Sequence, residues 1–179
     1  MPRSTSPCSN ILCLDVALTN TGVVIMEDGE LVHTSIIKTS KSPRVHKSID
    51  QVARITHICA ELERVIEDRN ITTMVAELPT GGGQSSAAVE GMSIAKTVIA
   101  CFSHFKDVEL VALTPAEVKK VTGDRHASKT KMKIWASRMF PELRKQYRST
   151  RSRDGFTGDF EHIADALGAY EAAGQLGRI

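Results

Sequence analysis

Ile11-Leu12-Cys13-Leu14-Asp15-Val16-Ala17-Leu18-Thr19-Asn20-Thr21-Gly22-Val23-Val24-Ile25-Met26 is the stretch whose reading decides the fold. Four apolar residues lead into one carboxylate, a short polar turn follows, and a second apolar run comes after it. A strand that is apolar on both faces belongs at the centre of a sheet. An aspartate at its end is costly to bury unless positive charge meets it. Asp15 therefore reads in two ways. It caps the following turn, or it faces a metal ion, a bound cation or a phosphate-linked magnesium.

Working outward, Val23 to Met26 reads as a second strand, Asp28-Gly29 as a hairpin turn, and Leu31 to Ile37 as a third strand. Together they predict an antiparallel meander. Ser40 to Pro43 is a loop. From Val45 to Asp68, apolar residues recur at Ile49, Val52, Ile55, Cys59, Leu62 and Ile66, the spacing of an amphipathic helix, with Asn70 at its exit. Thr72 to Ala76 reads as a buried strand that also ends on a carboxylate, Glu77. Pro79-Thr80-Gly81-Gly82-Gly83 breaks the structure, either as a flexible loop or as backbone able to approach a phosphate closely. A second helix spans Ser85 to His104, with Val89, Met92, Ile94, Ala95, Val98, Ile99, Phe102 and Phe105 as its apolar set. Val108 to Leu113 is a fifth strand.

Thr114-Pro115-Ala116-Glu117 has the capping-box spacing of a helix start, and Ser128 opens a further helix through Met132, Ile134, Trp135 and Met139. Phe140 to Gly158 reads as a long basic loop, of a length that is usually functional or disordered. Asp159 is the expected cap of a last helix carrying Ile163, Ala164, Leu167 and Tyr170. Strands alternating with helices give an α/β class: a five-stranded mixed sheet, three strands in an antiparallel meander and two parallel, flanked by helices. The expected organisation is a disordered tail over residues 1–10 and a single domain over 11–179.

Composition narrows the functional classes. No apolar run approaches membrane-spanning length, and Met1 to Pro7 lacks the apolar core of a signal segment, so a cytoplasmic protein is expected. Cys8, Cys13, Cys59 and Cys101 are widely spaced. Cys13, Cys59 and Cys101 sit in apolar runs, which reads as reduced core cysteines, not a zinc site or a disulfide framework. Aromatic residues make up 4% of the chain, too few for extended base-stacking platforms. The net charge is +2, but Glu117 to Arg153 holds twelve Lys or Arg against three acids, a local +9 that leaves −7 elsewhere. Such segregation points to a polyanion-binding face, or to a solvated basic surface without a partner.

Two strands ending in a carboxylate at the same relative place make the candidate site. The carboxyl ends of adjacent parallel strands open onto the usual ligand site of an α/β sheet. Paired carboxylates repel and raise each other's proton affinity, which a divalent metal relieves. The last helix adds His162 and Asp165, three apart and on one face. Glu161, four before Asp165, either supports the same site or is exposed.

Asp15-Val-Ala-Leu-Thr-Asn-Thr-Gly22, Ala76-Glu77, Val118-Lys119-Lys120-Val-Thr-Gly123 with Ala127-Ser128-Lys129, and His162-Ile-Ala-Asp165-Ala-Leu-Gly168 resemble, in order, the motifs of the RuvC-type Holliday-junction resolvases. The resemblance runs from about residue 11 to 174 and implies an RNase H-like fold. It implies a homodimeric endonuclease, dependent on two Mg²⁺ or Mn²⁺ per active site, that nicks opposing strands of a four-way DNA junction. Carried over by position, the catalytic and metal-binding residues are Asp15, Glu77, His162 and Asp165, with Asp15 bridging both ions. Lys119, Lys120 and Lys129 correspond to positions that hold the scissile DNA. Arg125, Lys131, Arg148, Arg151 and Arg153 join them as expected DNA contacts of the basic stretch. No small-molecule cofactor and no membrane are expected as partners. The residues after Glu77 lack the aromatic that bacterial members insert near the junction centre, and Arg144 to Arg153 is more charged than in those members. Both departures suggest a phage or otherwise divergent member. The second helix is the expected dimer surface.

Rival readings share parts of the pattern. Asp15 to Gly22 also resembles the phosphate loop of sugar-kinase and actin-like ATPases, which need two such domains. Another RNase H-like nuclease would act on flaps, three-way junctions or RNA–DNA hybrids. A basic architectural DNA binder is disfavoured, since bare carboxylates repel phosphate.

Overall fold

The computed structural model describes residues 9–78 and 86–179. The expected break at Pro79 to Gly83 and the first eight residues of the expected tail lie outside them. The first strand, β1 (Asn10–Asp15), pairs antiparallel with β2 (Asn20–Glu27), which pairs antiparallel with β3 (Glu30–Lys38). Asp28 and Gly29 turn the hairpin with φ of 51° and 85°, the two left-handed residues of a tight primed turn. Helix α1 (Lys47–Arg69) stops at Asn70, whose left-handed conformation (φ 48°, ψ 49°) caps it. Strand β4 (Thr73–Glu77) then lies parallel to β1, and after α2 (Ser86–Lys106) strand β5 (Glu109–Leu113) lies parallel to β4. The sheet order is β3-β2-β1-β4-β5, so β1 is central, as its apolar run requires.

Alternation along the strands divides the core in two. Leu12, Leu14, Val23, Ile25, Met74 and Ala76 point to the face covered by α1 and α2. Ile11, Cys13, Val24, Met26, Val75 and Val111 point to the other. That second face is covered by α3 (Pro115–Lys120), α4 (Lys129–Met139), the short α5 (Leu143–Gln146) and α6 (Asp159–Gln175). The Thr114–Glu117 capping box starts α3, and the Ser128 hydroxyl accepts from the Lys131 N–H to start α4. Helix α6 contacts all five strands as well as α3 and α4, and its Phe160, Ile163, Ala164, Ala166, Leu167, Gly168 and Ala169 are buried. No helix among the described residues is long and apolar enough to cross a membrane.

Several expectations are corrected. In α1 the buried stripe is Asp50, Ile58, Leu62 and Ile66, at spacings of four and eight residues, while Ile49 and Val52 in the first two turns lie off that line and stand exposed. There the sheet-side contact is polar: Arg54 pairs with buried Asp50 and donates to the Leu18 carbonyl and the Thr39 hydroxyl, tying α1 to the turn after β1. Val89 and Phe105 of α2 also face outward, and Cys101 is exposed and Cys59 half-buried, so of these cysteines only Cys13 is core. Phe140 to Gly158 is not a structureless loop. It forms α5 and a bridge between Arg148 and Phe156, and it buries Leu143, Tyr147 and Phe156 against Phe160. Asp159 does not cap α6. It occupies the first helical position and accepts from Lys38 Nζ at 2.6 Å. Gly168 lets α6 pack closely on its helical neighbours, since an added Cβ would meet Met132 on α4 and Val118 on α3.

Candidate active site

The register of β1 and β4 sets the geometry of the site. Asp15 and Glu77 are Cα partners at the carboxyl ends of the two parallel strands. Both continue the parity of Ile11, Cys13 and Val75, so both side chains emerge on the face that α6 covers. On the other side of β1, Asp15 is paired with Gly22. A Cβ at Gly22 would stand 2.4 Å from the His162 carbonyl oxygen. The absence of a side chain there is what lets the first turns of α6 descend onto the strand ends. His162 and Asp165, one turn apart on α6, are thereby brought over the two strand acids.

His162 Nδ1 and Asp15 Oδ2 are 2.7 Å apart. This hydrogen bond raises the imidazole's proton affinity above its ordinary value against the opposing effect of burial. Burial and the fields of Asp165 and Asp15 push the Glu77 carboxyl up to about 8, with Lys119 working against them. Asp165 is pushed up to about 7 by burial, then by Asp15 and Glu161, with His162 and Lys119 opposing. Glu77 Oε2 is buried without a hydrogen-bond partner among the described residues. An orphaned buried carboxylate oxygen is costly, and its repulsion by two further acids adds to the cost.

As the side chains stand, no three His, Cys, Asp or Glu among the described residues are gathered around one ion position. One oxygen of Asp15 is occupied by His162. The donor set nonetheless suits a hard divalent cation: three carboxylates within one another's field, one of them unpartnered, with an imidazole beside them.

The remaining expected residues fall into three groups. Lys119 and Lys129 border the acids: Lys119 acts on Glu77 and Asp165, and Lys129 forms an ion pair with Glu161 while also sensing Asp165 and Asp15. Glu161 is thus half-buried at the rim of the site, not a remote surface residue. Lys120 and Arg125 line a separate shallow depression beyond the end of α3, and Lys131 is paired with Asp124 at 3.1 Å. Arg148 lies at the far end of α4, and Arg151 and Arg153 are exposed on the segment that follows.

The sequence pattern assigns no role to Gly22 or Arg54, because the His162 backbone that meets the one and the Leu18 and Thr39 oxygens that meet the other are distant in sequence. The one available signal was for Gly22, a glycine inside a strand, which marks close approach of another backbone.

No model of a protein family matches the chain, and no curated protein matches it by sequence. Solved structures do match. Thermus thermophilus RuvC in complex with a Holliday junction substrate superposes with a TM-score of 0.69 at 17% identity, covering 95% of this chain and 95% of that one. Thermus thermophilus RuvC alone gives 0.66 at 17% identity, over 94% and 96%. The yeast mitochondrial Holliday junction resolvase Ydc2 gives 0.60 at 11% identity, over 98% and 83%. The chain therefore has the RNase H-like fold of the RuvC resolvases across nearly its whole length.

Proposed function

We propose that the protein is a structure-selective endodeoxyribonuclease that resolves four-way DNA junctions by paired symmetric nicks, acting as a homodimer. The observation that carries this reading is the convergence of Asp15 and Glu77 at the strand ends with Asp165 of α6, where burial and mutual repulsion raise the proton affinity of Glu77 and Asp165 and Glu77 Oε2 has no partner among the described residues. A fold that gathers acids at such cost, next to a band of cations, suits a phosphodiester held beside divalent metal. The likeness to resolvase structures supports four-way DNA as the substrate class.

Mg²⁺ or Mn²⁺ held by Asp15, Glu77, His162 and Asp165 would neutralise phosphate charge and acidify a water enough for it to attack near neutral pH. The chain's own groups do the rest. The His162–Asp15 hydrogen bond fixes the orientation of both side chains. With Nδ1 committed to Asp15, Nε2 is the one ring nitrogen left, and it serves either to hold an ion or to take a proton from the attacking water. Either role requires neutral imidazole, so activity should rise with pH through the histidine range of about 6 to 7.5. Lys119 and Lys129 border the acids on the side open to solvent and hold the scissile phosphate by charge. Lys129 exchanges Glu161 for phosphate when DNA arrives. Paired nicks need two such sites, and α2, with Val89 and Phe105 exposed, is the proposed subunit contact.

Cleavage of four-way, three-way, flap and RNA–DNA hybrid substrates, with Mg²⁺ or Mn²⁺ and with product ends mapped, tests the reading. The expected result is paired nicks in the four-way junction, lost in Asp165→Asn while junction binding persists. Normal cutting by Asp165→Asn removes the metal-ligand assignment, and preferential cutting of flaps or hybrids moves the enzyme to another RNase H-like activity.

A further inference from the structure

The segment between α4 and α6 is built as a scaffold with its own cationic face. Leu143, Tyr147 and Phe156 anchor it in the core, and the Arg148–Phe156 bridge closes it. Lys133 of α4, only 6% exposed, forms an ion pair with Asp154. Asp154 also accepts from the Ser152 hydroxyl and the Phe156 N–H. The hydrogen bonds from Lys133 and Ser152 hold its carboxyl down to about 2. Breaking a buried pair by removing one partner is strongly destabilising, so this pair fixes the segment firmly against α4.

Between that clamp and the C-terminal half of α4 lies an open groove of about 620 Å³. Arg138, Arg144, Lys145 and Arg148 line it above an apolar floor that includes Ile134 and Phe156. The carboxylate on its wall, Asp154, is already neutralised by Lys133. Among the described residues, none of the four cations is paired with an acid.

We propose that this groove takes the phosphate backbone of a duplex DNA arm at a distance from the nicked phosphate, extending the footprint of the enzyme along the arm. The inference rests on the nuclease reading above and adds a second contact region to it. The groove is open and its four cations are all exposed, a poor cage for a small anion, which needs fixed donors shielded from water. Exposed cations that are weak singly act together on a polyanion, because each phosphate they neutralise releases condensed counterions. Helix α4 supplies the register. Lys129 at its N-terminus borders the acids and Arg138 lies in the groove. Nine residues at a rise of 1.5 Å separate them by roughly 14 Å, about four base pairs along a duplex.

The test is four-way junction binding by the full chain at fixed Mg²⁺, on an Asp165→Asn background so that DNA stays intact. The protein with and without Arg138→Gln, Arg144→Gln and Lys145→Gln is titrated across NaCl concentrations. All three side chains are exposed, and circular dichroism checks that folding is equal. The expected result is a slope of log affinity against log salt that is shallower by about 2.7 in the triple variant, so that its affinity falls ~40-fold less between about 50 and 200 mM salt. Hydroxyl-radical footprints of the two complexes should differ about four base pairs from the cut site and agree at the cut site itself. An unchanged slope overturns the inference while leaving the nuclease reading intact, and so does a footprint lost at the cut site instead of along the arm. Failure of the wild-type chain to bind four-way DNA overturns both.

Discussion

Glu77 is held where its charge is least welcome. Its folded-state proton affinity, raised to about 8, lies above the ordinary 4.5, and that of Asp165, raised to about 7, lies above 3.8. The metal-free folded state therefore binds more protons than the unfolded chain between those limits, and its stability falls as pH rises from about 4 to about 8. Urea unfolding in chelator should show this loss, on the order of 5 kcal/mol from Glu77 and about 4 kcal/mol from Asp165 at most by linkage. Glu77→Gln should remove about half of it and be the more stable protein at pH 8; an unaltered pH dependence in Glu77→Gln would show that the carboxyl is not strained. That Asp15, Glu77, His162 and Asp165 lie together was legible in the sequence because two strands visibly ended in a carboxylate and one helix turn carried His162 and Asp165. What was not legible is that Asp15 is engaged by His162. A hydrogen bond across 147 positions depends on where α6 lands, which no local pattern reports.

At the scale of elements, α6 is the piece on which the site depends. It is buried nearly all round, and its approach to the strand ends is licensed at Gly22, where the atoms that an added Cβ would meet belong to the His162 backbone. Backbone cannot swing aside as a side-chain end can. Gly22→Ala should cost on the order of 1–3 kcal/mol and shift His162 away from Asp15, so melting temperature and nicking rate fall together. Full stability in that variant would mean that the helix does not rest on the strand as described. The elements themselves were mostly readable. The Asp28-Gly29 turn, the Asn70 exit, the Thr114–Glu117 box and the Ser128 cap each follow from local chemistry. Reading failed where stability is non-local. Phe140 to Gly158 looks like loop because its basic and small residues hide three buried ones, Leu143, Tyr147 and Phe156, with the Lys133–Asp154 pair behind them. Ile49 and Val52 look like core because apolar spacing does not say that the inward line of α1 passes through Asp50 and Arg54 instead.

For the whole molecule, the sheet divides the labour. One face carries the layer of α1 and α2, and the other carries α6, the acids and the band of cations from Lys119 to Arg153. The +9 stretch is thus not spread evenly over the surface; it runs from the rim of the acidic site along α4 to the groove. Sheet order and register ask of most positions only that they be apolar and of suitable size. That is why the fold matches solved resolvases while no curated protein matches by sequence. The central claim is that Asp15, Glu77 and Asp165 form one cation-binding pocket whose acids are kept partly protonated until an ion arrives. Mn²⁺ titration of the full chain by calorimetry, in buffers of differing ionisation enthalpy, tests it most directly. The account predicts Mn²⁺ binding that releases about one proton at pH 7, releases almost none at pH 9, and is weakened by Glu77→Gln. Absence of Mn²⁺ binding, or binding with no proton release at pH 7 and no dependence on Glu77, would contradict it.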